Sequence, residues 1–121
     1  MIHHLLPAGQ WRAAQGGVLR PDSLDSEGFV HCSPDDATVL AVANQFYRDA
    51  ADTLLVLDLD EDRLQHELRW EPPAHPDGRP PEPHEPWFPH LYGPVEPDAV
   101  VAVRRLRRGD DGSFVAIEPS V

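Results

Sequence analysis

The chain has a single cysteine, Cys32, so it cannot close a disulfide on itself or assemble a multi-cysteine metal site. Stability must therefore come from packing. No run approaches the roughly 18 to 20 consecutive apolar residues needed to cross a bilayer, and no basic segment with an apolar signal core opens the sequence. These absences lead us to expect no membrane partner and a cytoplasmic location. Basic residues are also scarce, 10 against 21 acidic ones, for a formal net charge of -11. That balance opposes attraction to a phosphate backbone and argues against general nucleic-acid binding. The one basic cluster, Arg104, Arg105, Arg107 and Arg108, reads as a solvated strand end, with a phosphate-binding patch as the alternative.

What is present fits one domain spanning 1–121: 40% of the residues are hydrophobic, enough for a real core. Met1 to Leu6 reads as a short strand stopped by Pro7 and Gly9, and Trp11, Ala13 and Ala14 fit a brief helix ended by Gly16 and Gly17. Val18 to Arg20 is expected to be extended before a turn at Pro21 to Ser23, and 28–32 forms another short strand. The main helix is predicted over 34–51, with Ser33 as N-cap and Pro34 at the first position. Val39, Val42, Ala43, Phe46, Tyr47 and Ala50 recur there at helical spacing. Thr53 to Asp58 reads as a buried central strand, and His66 to Trp70 as a further one.

From Glu71 to Trp87 seven prolines rule out a helix or a sheet ladder and imply a long loop. Loops of that length in compact domains are commonly functional or disordered. A short strand and turn over 88–94 follow, then strands over 99–106 and 114–117 about a turn at 109–112. The physical reading is thus an α+β domain with one principal helix and several short strands.

Chemistry is most concentrated in the seven histidines. His66, His75 and His84, at a strand edge or in the proline-rich loop, are expected at the solvent. His4, His31 and His90 lie within short apolar segments, where a buried imidazole needs a partner. Alternation along strands puts Phe29, His31 and Ser33 on one side, with Val30 and Cys32 on the other. A Cys32–His31 nucleophile pair is therefore disfavoured. His3 and His4 diverge in the same way, while His90 and Tyr92 share a face.

Ile2-His3-His4-Leu5, Trp11, Glu27 to Ser33, Ala43 to Tyr47 and Phe88 to Pro94 together resemble the DUF952 family, in order and across nearly the whole chain. The resemblance implies a compact ADP-ribosyltransferase-like fold, with short strands in a split, mainly antiparallel sheet. That group includes the RNA 2′-phosphotransferases, which use two histidines, and its ligand is NAD. Carried over, the two histidines fall on His4 and His31 as catalytic residues, and Ser33, His90 and Tyr92 join them in lining the cofactor cleft. His4 would hold an adenosine-side ribose hydroxyl or the nicotinamide amide, and His31 the nicotinamide ribose.

No glutamate is evident to activate a neutral acceptor, because Glu71 and Glu96 read as solvated; a phosphate-bearing acceptor would need no such group. The function expected from the resemblance is an NAD-dependent ADP-ribosyltransferase-like enzyme acting on a phosphate-bearing or small-molecule acceptor. A non-catalytic NAD or ADP-ribose binding module is the alternative, its partner again a small-molecule nucleotide. A metal site formed by His4, His31 and His90 is a third reading, with no local ligand spacing behind it. An interaction protein presenting the proline-rich loop is the fourth.

Overall fold

The computed structural model describes residues 1–73, 79–80, 82–83 and 85–119. His75, His84 and part of the loop predicted over 71–87 lie outside the described residues. Two antiparallel sheets carry the fold. The larger has the order β1-β3-β6-β7, built from β1 (Ile2–Pro7), β3 (Leu54–Leu59), β6 (Val100–Arg108) and β7 (Phe114–Pro119). The smaller has the order β2-β5-β4, from β2 (Val30–His31), β5 (Phe88–Leu91) and β4 (Leu68–Glu71). They meet where the chain leaves β2: Ser33 and His3 exchange both backbone hydrogen bonds, at 2.9 and 2.7 Å. The segment 30–33 is thus a strand of the small sheet at one end and a neighbour of β1 at the other.

Burial follows the two-residue period of the strands. β3, the apolar strand read as central, is buried along its whole length between β1 and β6. Its Leu55, Leu57 and Leu59 join Ile2 and Leu6 of β1 and Val30, Cys32 and Leu91 of the small sheet in one cluster that spans both sheets. Its Leu54 and Val56 face the other way and pack with Val39 and Ala43 of α3 (Asp36–Phe46) and with Leu106 and Phe114. The remaining helices are short, α1 (Ala8–Ala14) and α2 (Asp22–Ser26). No helix among the described residues is long and apolar enough to cross a membrane.

Several local expectations change. The helix predicted over 34–51 is shorter at both ends. Ser33 does not cap it, because its backbone pairing with His3 keeps it extended and the helix begins only at Asp36. Asp35 caps it instead, its carboxylate accepting from the Thr38 N–H at 2.8 Å. At the other end Arg108 captures the carbonyls of Arg48 and Ala50, at 2.8 and 2.9 Å, and draws the chain off the helical path. The turn expected at Pro21 to Ser23 is in fact the start of α2. The strand predicted over 66–70 runs from Leu68 to Glu71, since His66 turns aside to pack on Gly93 and approach Glu96. The arginine cluster disperses: Arg104 reaches Asp36 and Asp58, Arg107 pairs with Glu118, and Arg108 binds carbonyls and covers the Phe114 ring.

Candidate functional site

A cleft of about 360 Å³ opens between the small sheet and the C-terminal half of α3. Its apolar wall comes from Val42 and Phe46 of α3 and Tyr47 just beyond it, together with Leu5 of β1 and Phe88 of β5. Its polar wall carries His31, Ser33, His90 and Glu27. No lysine or arginine lines it among the described residues. Concave sites of this size with one apolar side and a few convergent polar groups are the usual form of small-molecule pockets.

The β2–β5 pairing sets the centre of the polar wall. His31 stands directly opposite His90 in the register, with ring centroids 5.6 Å apart. Phe29 stacks on His90 at 4.1 Å and meets the His31 ring edge-on at 4.9 Å. The expected grouping of Phe29 with His31, and of His90 with Tyr92, therefore holds. The two imidazoles live in different surroundings. The His31 side chain is 43% exposed and donates from Nε2 to Glu27 Oε2 at 2.8 Å. The His90 side chain is only 3% exposed, and burial pulls its pKa down against the raising effect of Glu71.

Of the five residues assigned to the cleft from sequence, His31, Ser33 and His90 line it, whereas His4 and Tyr92 do not. His4 lies behind the wall. Its Nδ1–H donates to the backbone carbonyl of His31 at 2.7 Å, and burial lowers its pKa from 6.5 to about 4. It is a neutral pin beneath His31 rather than a group in the cleft. Tyr92 acts through Glu71, to which its hydroxyl donates at 2.5 Å. Among the described residues no three histidine, cysteine, aspartate or glutamate side chains stand together as metal ligands. Cys32 is buried, with its thiol pushed up to about 12 by desolvation, so it carries no thiolate at neutral pH.

Two carboxylates that the sequence reading did not assign to the site hold its imidazoles, Glu27 in the wall and Glu71 behind it. Glu27, four residues from His31, is brought to it by the turn between α2 and β2. Glu71, read as solvated, instead accepts from both His90 Nδ1 at 3.0 Å and Tyr92, which hold its carboxyl below the usual range. Only the β4–β5 register places it there. Glu96 is likewise drawn towards His66, at 3.6 Å. On the opposite face of β1, His3 donates to Asp58 at 2.7 Å, and Arg104 bridges Asp58 and Asp36 at 2.8 Å each. This network ties the start of α3 to the large sheet. The first-strand histidine pair thus divides between a structural ion cluster and a pin under the cleft.

The profile of a family described as Protein of unknown function (DUF952) matches residues 5–103. The chain belongs to the DUF952 family. Among solved structures it is similar to protein CC0527 from Caulobacter crescentus. The crystal structure of that protein is 27% identical, with a TM-score of 0.72, covering 94% of this chain and 92% of that one. The solution NMR structure of CC0527 gives 26% identity and a TM-score of 0.70, covering 93% and 89%. No curated protein matches the chain. The cleft of this DUF952 protein must therefore be interpreted from its own chemistry.

Proposed function

We propose that this DUF952 protein is an NAD-dependent ADP-ribosyltransferase-like enzyme that holds the nicotinamide ribose of NAD beside His31. The observation that carries the reading is the His31–Glu27 pair: a half-exposed imidazole held by a carboxylate at the mouth of a cleft, with His90 facing it. Small-molecule binding at such a site places polar groups against the ribose and an apolar wall against the base. Because no lysine or arginine lines the cleft among the described residues, the pyrophosphate lies outside it.

Transfer breaks the bond from C1′ of the ribose to nicotinamide, which leaves with the electron pair, while an acceptor atom bonds to C1′. Glu27 supplies a carboxylate for the cationic character that develops at C1′, and the Glu27–His31 pair takes the proton of an incoming hydroxyl or amine. A neutral small-molecule acceptor therefore fits better than a phosphate-bearing one, which the cleft carboxylate of Glu27 would repel. This reverses the acceptor preference drawn when no glutamate was in view.

The test is calorimetric titration of NAD and ADP-ribose into the folded protein and into His31→Ala and Glu27→Gln, followed by assay of released nicotinamide. Binding lost in His31→Ala, with nicotinamide release slowed in Glu27→Gln, supports the enzyme. Binding without release makes the protein a non-catalytic NAD or ADP-ribose module. No binding by the folded protein refutes both.

A further inference from the structure

We infer that Glu71 is a positioning residue that holds His90 with its proton on Nδ1, so that Nε2 offers the cleft a bare lone pair for an N–H or O–H donor on the ligand. The inference rests on the cleft being a ligand site, and it does not require that the ligand be NAD.

Geometry supplies the argument. In the β4–β5 pairing Glu71 stands opposite Phe88, which puts it diagonal to His90, two residues on and on the same face. Its Oε1 lies 3.0 Å from His90 Nδ1 and 2.5 Å from the Tyr92 hydroxyl. A carboxylate is an acceptor only, so the proton between Glu71 and His90 belongs to Nδ1. The second proton of an imidazolium is opposed by burial of the His90 ring, which outweighs the pull of Glu71, and by His31 beside it. Glu27 lies beyond His31 and is already engaged by it. A neutral ring with Nδ1 occupied leaves Nε2 as an acceptor, since the hydrogen bond at one ring nitrogen fixes the role of the other. Nε2 has no hydrogen-bond partner among the described residues, and His90 lines the cleft.

Tyr92 and Arg69 fix the carboxylate in turn. The tyrosine donates to the same oxygen, and the Arg69 guanidinium lies 4.4 Å from the Tyr92 ring centroid. Tyr92, assigned from sequence to the cleft itself, thus acts two steps behind it. The recognition that follows is of an uncharged donor, such as an amide N–H or a sugar hydroxyl, and a ligand presenting only acceptors at that point is rejected.

The experiment is ring-nitrogen NMR of histidine-labelled protein, without ligand and at neutral pH, on the wild type, Glu71→Gln, Glu71→Ala and Tyr92→Phe. The wild type is expected to show His90 protonated at Nδ1. Glu71→Gln and Tyr92→Phe should retain that tautomer, because each keeps an acceptor oxygen against Nδ1, whereas Glu71→Ala should shift the ring to Nε2–H or to a mixture. A wild-type ring protonated at Nε2 overturns the inference, as does an unchanged ring in a folded Glu71→Ala protein. If Glu71→Ala does not fold, the wild-type and Tyr92→Phe spectra decide. In a parallel NAD titration Glu71→Ala should weaken binding roughly tenfold while Glu71→Gln stays within about threefold. Failure of NAD to bind any variant removes the enzyme reading and leaves the tautomer result standing.

Discussion

Replacing His4 with asparagine removes one titratable group while keeping a side-chain N–H able to reach the carbonyl of His31, now held by His4 Nδ1 at 2.7 Å. The wild-type imidazole is buried, and its pKa falls from 6.5 in the unfolded chain to about 4 in the folded one. Between those values the unfolded chain binds the additional proton, so stability is complete above the unfolded value and declines as pH falls towards the folded one. Each unit of difference is worth about 1.4 kcal/mol, so the wild type loses about 2 to 3 kcal/mol from this group between neutral pH and about pH 4.5. Urea unfolding of both proteins across that range measures it, because the carboxylates titrate alike in the two and cancel in the difference. The gap in unfolding free energy between wild type and His4→Asn should therefore shift by about 2 to 3 kcal/mol in the variant's favour on acidification. Parallel curves would show that His4 is solvated or charged in the folded state and would remove it as the neutral pin beneath His31.

Three further outcomes follow from the packing. Leu57→Ala opens a cavity in the cluster shared by the two sheets, where Leu57 has no exposed surface, and should cost about 2 to 5 kcal/mol in urea unfolding. Asp58→Ala strips His3 and Arg104 of a largely buried partner and should destabilise by about 2 kcal/mol, whereas Asp36→Ala, at a half-exposed carboxylate, should cost under about 1 kcal/mol. Cys32 should resist iodoacetamide in the native protein at about pH 8 and react on unfolding, as read by mass spectrometry, because its thiol is buried and pushed up to about 12.

What the sequence disclosed and what it withheld divide along a physical line. Features carried by neighbours in the chain were legible: the apolar run of β3, the helical spacing within α3, and the alternation that sets Phe29 and His31 apart from Val30 and Cys32. Features carried by pairing across the fold were not. The helix cap moved from Ser33 to Asp35 because Ser33 is held extended by its pairing with His3 of β1, so the helix starts only at Asp36. His4 and His3 both fall outside the cleft for the same reason, since the partners that define them, the His31 carbonyl and Asp58, lie 27 and 55 residues away. Glu71 looked solvated because it borders a proline-rich stretch, and only the register with β5 turns it towards His90. Glu27 is nearer in the chain, four residues from His31, but it is the turn at Gly28, at φ 89°, and not helical spacing that brings the two together.

The cleft draws its two walls from different layers of the molecule. His31 and His90 ride on the small sheet, whereas Val42 and Phe46 ride on a helix fastened to the large one through Asn44, which bonds both backbone groups of Phe114. Substitutions on the helix can therefore reshape what fits without disturbing the imidazoles, and those at Glu27 or Glu71 can retune the imidazoles without touching the apolar wall. A lineage built on this frame is free to change its ligand and its chemistry one at a time.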